Sequence, residues 1–323
     1  MSKLTVSNTK HIPSTDIDPT KRYDVRDVDA LVVTCIEAAK DALHSRELVG
    51  FSDFEQDQLV HVLDGFRHSH QSIRILLKGE QSPSAVAALA IARLQVESLY
   101  SLCYLLENPA NVRLLLKNGW KKRYIRFLLH RAECRNFSRF DEHYSAPRTA
   151  LQFDGLQELC FVSDEERKTI EHEEIGTPLD PAMQEVVIPK FPTPRGVIKA
   201  LTNQAQITML KRLYFDYQYL CSFAHGDSEA SLFRELSNPR SPAHRLINAS
   251  QIEDFHQRQI LEDPILYSSL SAIQAATEVA AIYPANIELL VRITKAWEFL
   301  RTSHLLAVSV WDMRSKAILP LIN

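Results

Sequence analysis

SPSAVAALAIARLQVESLYSLCYLLE, residues 82–107, decides how this chain folds. Ser82 is a preferred N-cap, and Pro83 suits the first helical position, where its missing N–H bonds nothing. The spacing predicts one long helix from there to about Glu107. Its first half (Ala85, Ala87, Ala88, Ala90, Ala92) is nearly all small. A second helix can approach such a surface closely without leaving a void, which marks a central element.

Working outward, the same punctuation recurs. Asn108-Pro109 restarts the chain, and Val112, Leu115 and Leu116 lead into a segment ending near Arg135, passing Gly119. Upstream, Ser52 and Glu55 have the spacing of a capping box, in which hydroxyl and carboxylate each satisfy a backbone donor. It opens a helix to about Lys78. Before it, Val25, Val28, Leu31, Val32, Cys35, Ile36, Ala39 and Leu43 recur at three and four, one face of an amphipathic helix that Gly50 follows. Residues 1–24 are polar with no sustained period and read as a flexible arm.

Between 137 and 202 the pattern weakens, and Pro147, Pro178, Pro181, Pro189, Pro192 and Pro194 interrupt it. One short acidic helix is expected, capped by Ser163 and Glu166, within a long Pro-rich excursion over the surface or, as the alternative, a poorly regular subdomain. The period returns from Gln204 to His225-Gly226. A short helix is expected over 228–236, a turn over 238–242 and a cap at Ser250 with Glu253. Asp263-Pro264 starts a helix to about Ile282, Tyr283-Pro284 another to about Leu300, and the apolar tail Leu305 to Trp311 docks on the bundle. The expected architecture is a single all-α domain over 25–318, a multi-helix bundle with halves 25–136 and 203–318 and an irregular insertion at 137–202.

Composition agrees. Of 323 residues, 45% are hydrophobic and 24% charged, with 37 Lys and Arg against 40 Asp and Glu for a formal charge of -3. Disorder as the main state is excluded, and the balance argues against a domain coating nucleic acid or lipid. Glycine numbers only 8, where average usage would supply about 23. Hairpin turns and phosphate loops lack their usual material, and no Gly-x-Gly-x-x-Gly, Walker loop or Gly-x-Ser-x-Gly elbow occurs. Five cysteines without short spacings (Cys35, Cys103, Cys134, Cys160, Cys221), with no apolar h-region and no run of 18 apolar residues, lead to the expectation of a cytoplasmic chain without a membrane span, disulfide framework or cofactor.

Three groups of residues could carry chemistry. Arg93 and Glu97 lie four apart in the apolar helix, and a charged pair there needs a partner. The partner expected is the end of the 204–225 helix, where His225 and Asp227 flank Gly226. Together they could form a cleft with His225 as base, Asp227 or Glu97 orienting it and Arg93 holding an anion, or a polar cluster that fixes how two helices pack. The second group is the basic run Lys117, Lys121, Lys122, Arg123, Arg126, His130 and Arg131, which could hold RNA phosphates or be a solvated face. The third, His61, Asp64 and His68 on one helix face with His70 close by, is a weak metal candidate without the further ligands a site needs, and His68, Ser69 and His70 are expected to face solvent or cap a neighbour.

The Arg93-x-x-x-Glu97 helix leading to Tyr104-Leu105-Leu106, with the later Tyr219, Cys221 or Ser222, and His225-Gly226, resembles a family of uncharacterised bacterial helical proteins over about residues 54–230. That resemblance implies a helical fold and no established activity; Cys221 stands where it would place Ser. The chain is also similar, more weakly, to the HEPN group of helical bundles, many of them RNA-cleaving toxins or defence effectors, whose signature is Arg, four to six residues, then His. Arg123 to His130 and Arg167 to His172 both match, a spacing that chance supplies in a chain with 12 histidines. Two functions follow as expectations: a helical interaction or regulatory protein with a protein partner or as a homodimer, and a metal-independent ribonuclease using Arg123 and His130.

Overall fold

The computed structural model describes residues 25–45, 48–78, 82–134, 146–225, 262–283, 286–302 and 305–318. Among these the chain is all-α, a multi-helix bundle with eleven helices and no strand. They are α1 (Val25–Ser45), α2 (Asp53–Leu77), α3 (Ser82–Glu107), α4 (Pro109–Cys134), α5 (Ala146–Leu159), α6 (Asp164–Ile175), α7 (Pro194–Ala200), α8 (Gln204–His225), α9 (Asp263–Ile282), α10 (Ile287–Arg301) and α11 (Leu305–Ile318). The arm 1–24 and the elements expected at 228–236, 238–242 and 250–253 lie outside the described residues.

Both expected capping boxes are made. The Ser52 N–H donates to Glu55 Oε2 at 2.9 Å and the Glu55 N–H returns to Ser52 Oγ at 3.4 Å. Ser163 and Glu166 do the same at 2.8 and 3.2 Å ahead of α6, whose other end is closed by Gly176 at φ 68°. Only glycine takes that left-handed conformation without strain.

Two boundaries differ from the sequence reading. The helix expected from Tyr283-Pro284 starts at Ile287, because the Asn286 side chain accepts the Leu289 N–H at 3.2 Å and makes Asn286 the cap. The 137–202 insertion is more regular than expected. Pro147 stands in the first turn of α5, and Pro194 follows the Thr193 cap of α7, so these prolines begin helices instead of breaking them. The irregular Pro-rich stretch shrinks to 176–193. Between α5 and α6 the reversal uses Phe161 at φ 59°, with the Val162 N–H bonded to Gln157 O and the Phe161 N–H to Glu158 O, both at 3.0 Å. A bulky residue in this conformation is strained; its ring is used, lying 6.3 Å from Phe54 and 5.0 Å beneath the Arg113 guanidinium.

The chain forms two compact units that cut across the halves read from the sequence, with the divisions falling inside α2 and α3. The first takes residues 25–45, 62–99 and those beyond 203. Its centre is α9, buried from Leu266 to Ala280 without interruption. Small residues make this packing close: Ser268, Ser269, Ser271, Ala272, Ala275, Ala276 and Ala280 leave room for α1, α10 and α11 to contact one helix. In α3, Ala85, Ala88 and Ala92 are buried, but Ala87 faces solvent, so the role of central helix passes to α9. The expected α1 stripe is buried at Val32, Cys35, Ile36, Ala39 and Leu43, and the expected docking of the tail is seen in buried Leu306, Ala307, Val310 and Trp311. By length and composition α3 and α9 could each cross a membrane, and 83% of the α9 window is buried inside the protein.

The second unit is built from 48–61 and 100–202. Its aromatic core joins Trp120, Tyr124 and Leu128 of α4 to Phe153, Val162, Ile170 and Ile188. The Trp120 and Tyr124 rings stack at 4.5 Å, and the Phe153 ring meets that of Tyr124 edge-on at 5.3 Å, arrangements favoured by the ring quadrupoles.

Candidate functional site

The structure brings α3 and α8 together at Arg93 and Tyr217. The Arg93 guanidinium is 2.8 Å from Glu97 Oε2, donates to the Tyr217 hydroxyl at 3.0 Å and lies 5.4 Å over the Tyr217 ring. Its side chain is 16% exposed. Burial pushes the Tyr217 phenol up to about 12. Burial alone would lower Arg93; the Cys221 thiol, the Glu97 carboxylate and Tyr217 outweigh it and raise its pKa. Both groups therefore hold their protons firmly at neutral pH, which suits an anchor better than a proton relay. His225 is the last residue of α8; its side chain, and Asp227, lie outside the described residues. Tyr217 opens the 217–227 segment that sequence reasoning expected to partner Arg93 and Glu97, but the residues selected there were His225 and Asp227; the four-residue spacing Tyr217, Cys221, His225 on one helix face could have added it.

On α4 the basic run divides into two sets. Lys117 Nζ is 2.5 Å from buried Glu166, and Lys121 Nζ is 3.9 Å from Glu173, so acidic α6 takes up both charges. Lys122, Arg123 and Arg126 are exposed and make no ion pair among the described residues, and His130 and Arg131 are exposed beyond them. The second Arg-to-His match serves packing. Arg167 binds Asp154 at 2.5 Å and Glu171 at 3.1 Å and lies 5.1 Å over the Tyr124 ring, while His172 Nδ1 sits 2.9 Å from Thr177 O.

The metal candidates stay apart chemically. Asp64 is engaged by Lys40 at 2.7 Å and Arg67 at 3.3 Å, His68 Nε2 lies 3.4 Å from Arg67, and His61 is exposed on α2. Among the described residues no group of three or more His, Cys, Asp or Glu is placed to hold a metal ion.

Sequence reasoning missed two buried networks in the first unit. His70 has Nδ1 2.7 Å from Ser268 Oγ and Nε2 2.8 Å from Asp29 Oδ1, the residue types of a nucleophile, base and orienting acid. The hydrogen bond from His70 holds the Asp29 carboxyl below its usual range. Ser268 and His70 are both fully buried, and only Asp29 reaches solvent. A nucleophile must meet its substrate, so this arrangement ties α1, α2 and α9 together. Ser268→Ala should leave an imidazole nitrogen unpaired in the core and cost about 1–3 kcal/mol; Asp29→Asn, at the wetter end, should cost less. Urea unfolding of the two variants reads the order. The second network is the ion pair of Glu278 with Arg314, whose Nε and Nη2 each lie 2.8 Å from one carboxylate oxygen. Between α8 and α11 a depression of about 490 Å³ is lined by Gln204, Ala205, Thr208, Ser309, Asp312 and Met313.

Comparison with family models, with curated proteins and with solved structures finds no match to this chain. Its function is therefore argued from these residues alone.

Proposed function

We propose that this chain is a helical interaction or regulatory protein of the cytoplasm, in which Arg93 and Glu97 fix the packing of α3 on α8. The observation that carries this reading is the engagement of Arg93: its guanidinium meets a carboxylate, a phenol and an aromatic face at once. Arg93→Ala or Glu97→Ala should then lower stability by about 1–3 kcal/mol by stranding a half-buried partner.

A second reading, a metal-independent ribonuclease of HEPN type, is favoured by one feature. Arg123 and His130 are seven residues apart, nearly two full helical turns, so both lie on the same exposed side of α4. One experiment separates the two. Wild type, Arg93→Ala, His225→Ala and His130→Ala are incubated with total RNA without added metal while melting is followed. The interaction reading expects no cleavage and a lowered melt for Arg93→Ala. Cleavage by wild type, lost in either histidine variant at an unchanged melting temperature, overturns it in favour of the ribonuclease.

A further inference from the structure

We infer that the outer face of α4 is a docking surface for the phosphate backbone of a single-stranded nucleic acid, held by Lys122, Arg123 and Arg126. This rests on the interaction reading and names the class of partner. The chain as a whole is slightly acidic, at -3, yet α4 segregates its cations. Lys117 and Lys121 are neutralised by Glu166 and Glu173 on the inner side. Lys122, Arg123 and Arg126 point outward with no ion pair among the described residues, and exposed Arg131 extends the same end of the helix.

The spacing suits a linear polyanion. Lys122 and Arg126 are separated by one turn, about 6 Å along the axis, and Arg123 lies about 4.5 Å from Arg126. The three cations form a compact band, about 100° wide around the helix and about 6 Å long, with Arg126 between the other two in angle, a concentration of positive charge that suits closely spaced phosphates better than the scattered carboxylates of a folded protein surface. The helix is held rigidly for this task, since its other side carries Trp120, Tyr124 and Leu128 into the aromatic core. The rings of Trp120 and Tyr124 are buried there, and the partly buried Phe127 is turned to the same core, 6.1 Å from the Tyr124 ring and 5.1 Å from that of Phe153, so the aromatic residues of α4 serve packing instead of base stacking. Recognition is accordingly by backbone charge and independent of sequence.

The test is fluorescence anisotropy of the full chain with labelled oligouridine of about 16 nucleotides, at the upper end of single-strand site sizes. Three phosphate contacts at about 0.7 each give a log-log salt slope near -2, an affinity loss of roughly twenty-fold between about 50 and 200 mM salt. The triple variant Lys122→Glu/Arg123→Glu/Arg126→Glu should lose at least tenfold in affinity and most of the slope, with its melting temperature unchanged. A control with the same charge change on other exposed cations, Arg195→Glu/Lys199→Glu/Lys211→Glu, should bind within about twofold of wild type. An oligothymidine of equal length distinguishes the sugar, and equal binding supports recognition of the backbone alone. Absence of oligouridine binding by wild type, an equal loss in the control, or binding only to phosphatidylserine vesicles each overturns the inference. None of these bears on the packing role of Arg93, whereas RNA cleavage by the wild type would overturn the interaction reading and with it the partner role of this face.

Discussion

Truncating Arg314 to alanine should destabilise the protein by about 3–5 kcal/mol, the range for removing one partner of a buried ion pair. Arg314 is 2% exposed and Glu278 1%. The Glu278 carboxylate also accepts from Gln206 Nε2 at 2.6 Å and Gln274 Nε2 at 2.5 Å, so its neighbours are arranged for an anion. Without the guanidinium that anion stays in the core among neutral amides. The chain's other large buried anchor shows why relaxation will not rescue it. Trp297 packs 5.4 Å from Trp311 and donates its indole N–H to Thr277 Oγ1 at 2.9 Å, one residue from Glu278. Replacing both charges, with Arg314→Met and Glu278→Met, should recover part of the loss but not all. The Oε1 atoms of Gln206 and Gln274 already lack a hydrogen-bond partner, and the double variant leaves their amide nitrogens unpaired as well. Urea unfolding reads both variants. A loss under about 1 kcal/mol for Arg314→Ala would show that water reaches Glu278 and that the pair is not buried in solution.

What the sequence revealed follows from how local each signal is. The starts of α2 and α6 were legible because Ser52 with Glu55, and Ser163 with Glu166, satisfy their own backbone within three residues. The amphipathic stripe of α1 was legible for the same reason, as periodicity needs no knowledge of the partner. The importance of α9 was not. Its polar residues Ser268, Gln274, Thr277 and Glu278 break any simple apolar reading, and the partners of Ser268, Thr277 and Glu278, which are His70, Trp297, Gln206 and Arg314, are 20 to 198 residues away. Prolines misled in the opposite direction. Pro147 and Pro194 looked like breakers because the apolar period around them is weak, although Thr193-Pro194 carries the same cap-and-proline signal that marks Ser82-Pro83 as a helix start. The pairing of Arg93 with Glu97 was expected from their spacing, and the 217–227 segment as their partner; that Tyr217, 124 residues on, would be the contact was not. For the basic run of α4, sequence gave the charges but could not say that α6 would neutralise two of them.

Asp263→Asn should stabilise the protein at about pH 8 and leave it nearly unchanged at about pH 4. Burial, followed by the negative charges of Glu262 and Asp216, pushes the Asp263 carboxyl up to about 7. An unfolded aspartate titrates near 3.9, so between about pH 4 and 7 the folded state holds a proton that the unfolded state has released. Stability from this group is full below pH 4, declines as pH rises and is gone above about 7. A shift of roughly three units corresponds to about 4 kcal/mol at most. One effect opposes it, because Asp263 is in the first turn of α9, where a carboxylate interacts favourably with the helix dipole by about 0.3–1 kcal/mol. The net gain for the asparagine variant at pH 8 is therefore at most about 3 kcal/mol. Asp216 itself is engaged, accepting from the Tyr267 hydroxyl at 3.1 Å and pairing with Arg212 at 2.9 Å. Neutralising Asp263 removes its repulsion with this carboxylate. Melting curves of both proteins from pH 4 to 8 should diverge steadily with pH. Parallel curves, or a variant that melts lower at pH 8, would mean that Asp263 is ionised in the native state and that the dipole, not burial, sets its charge.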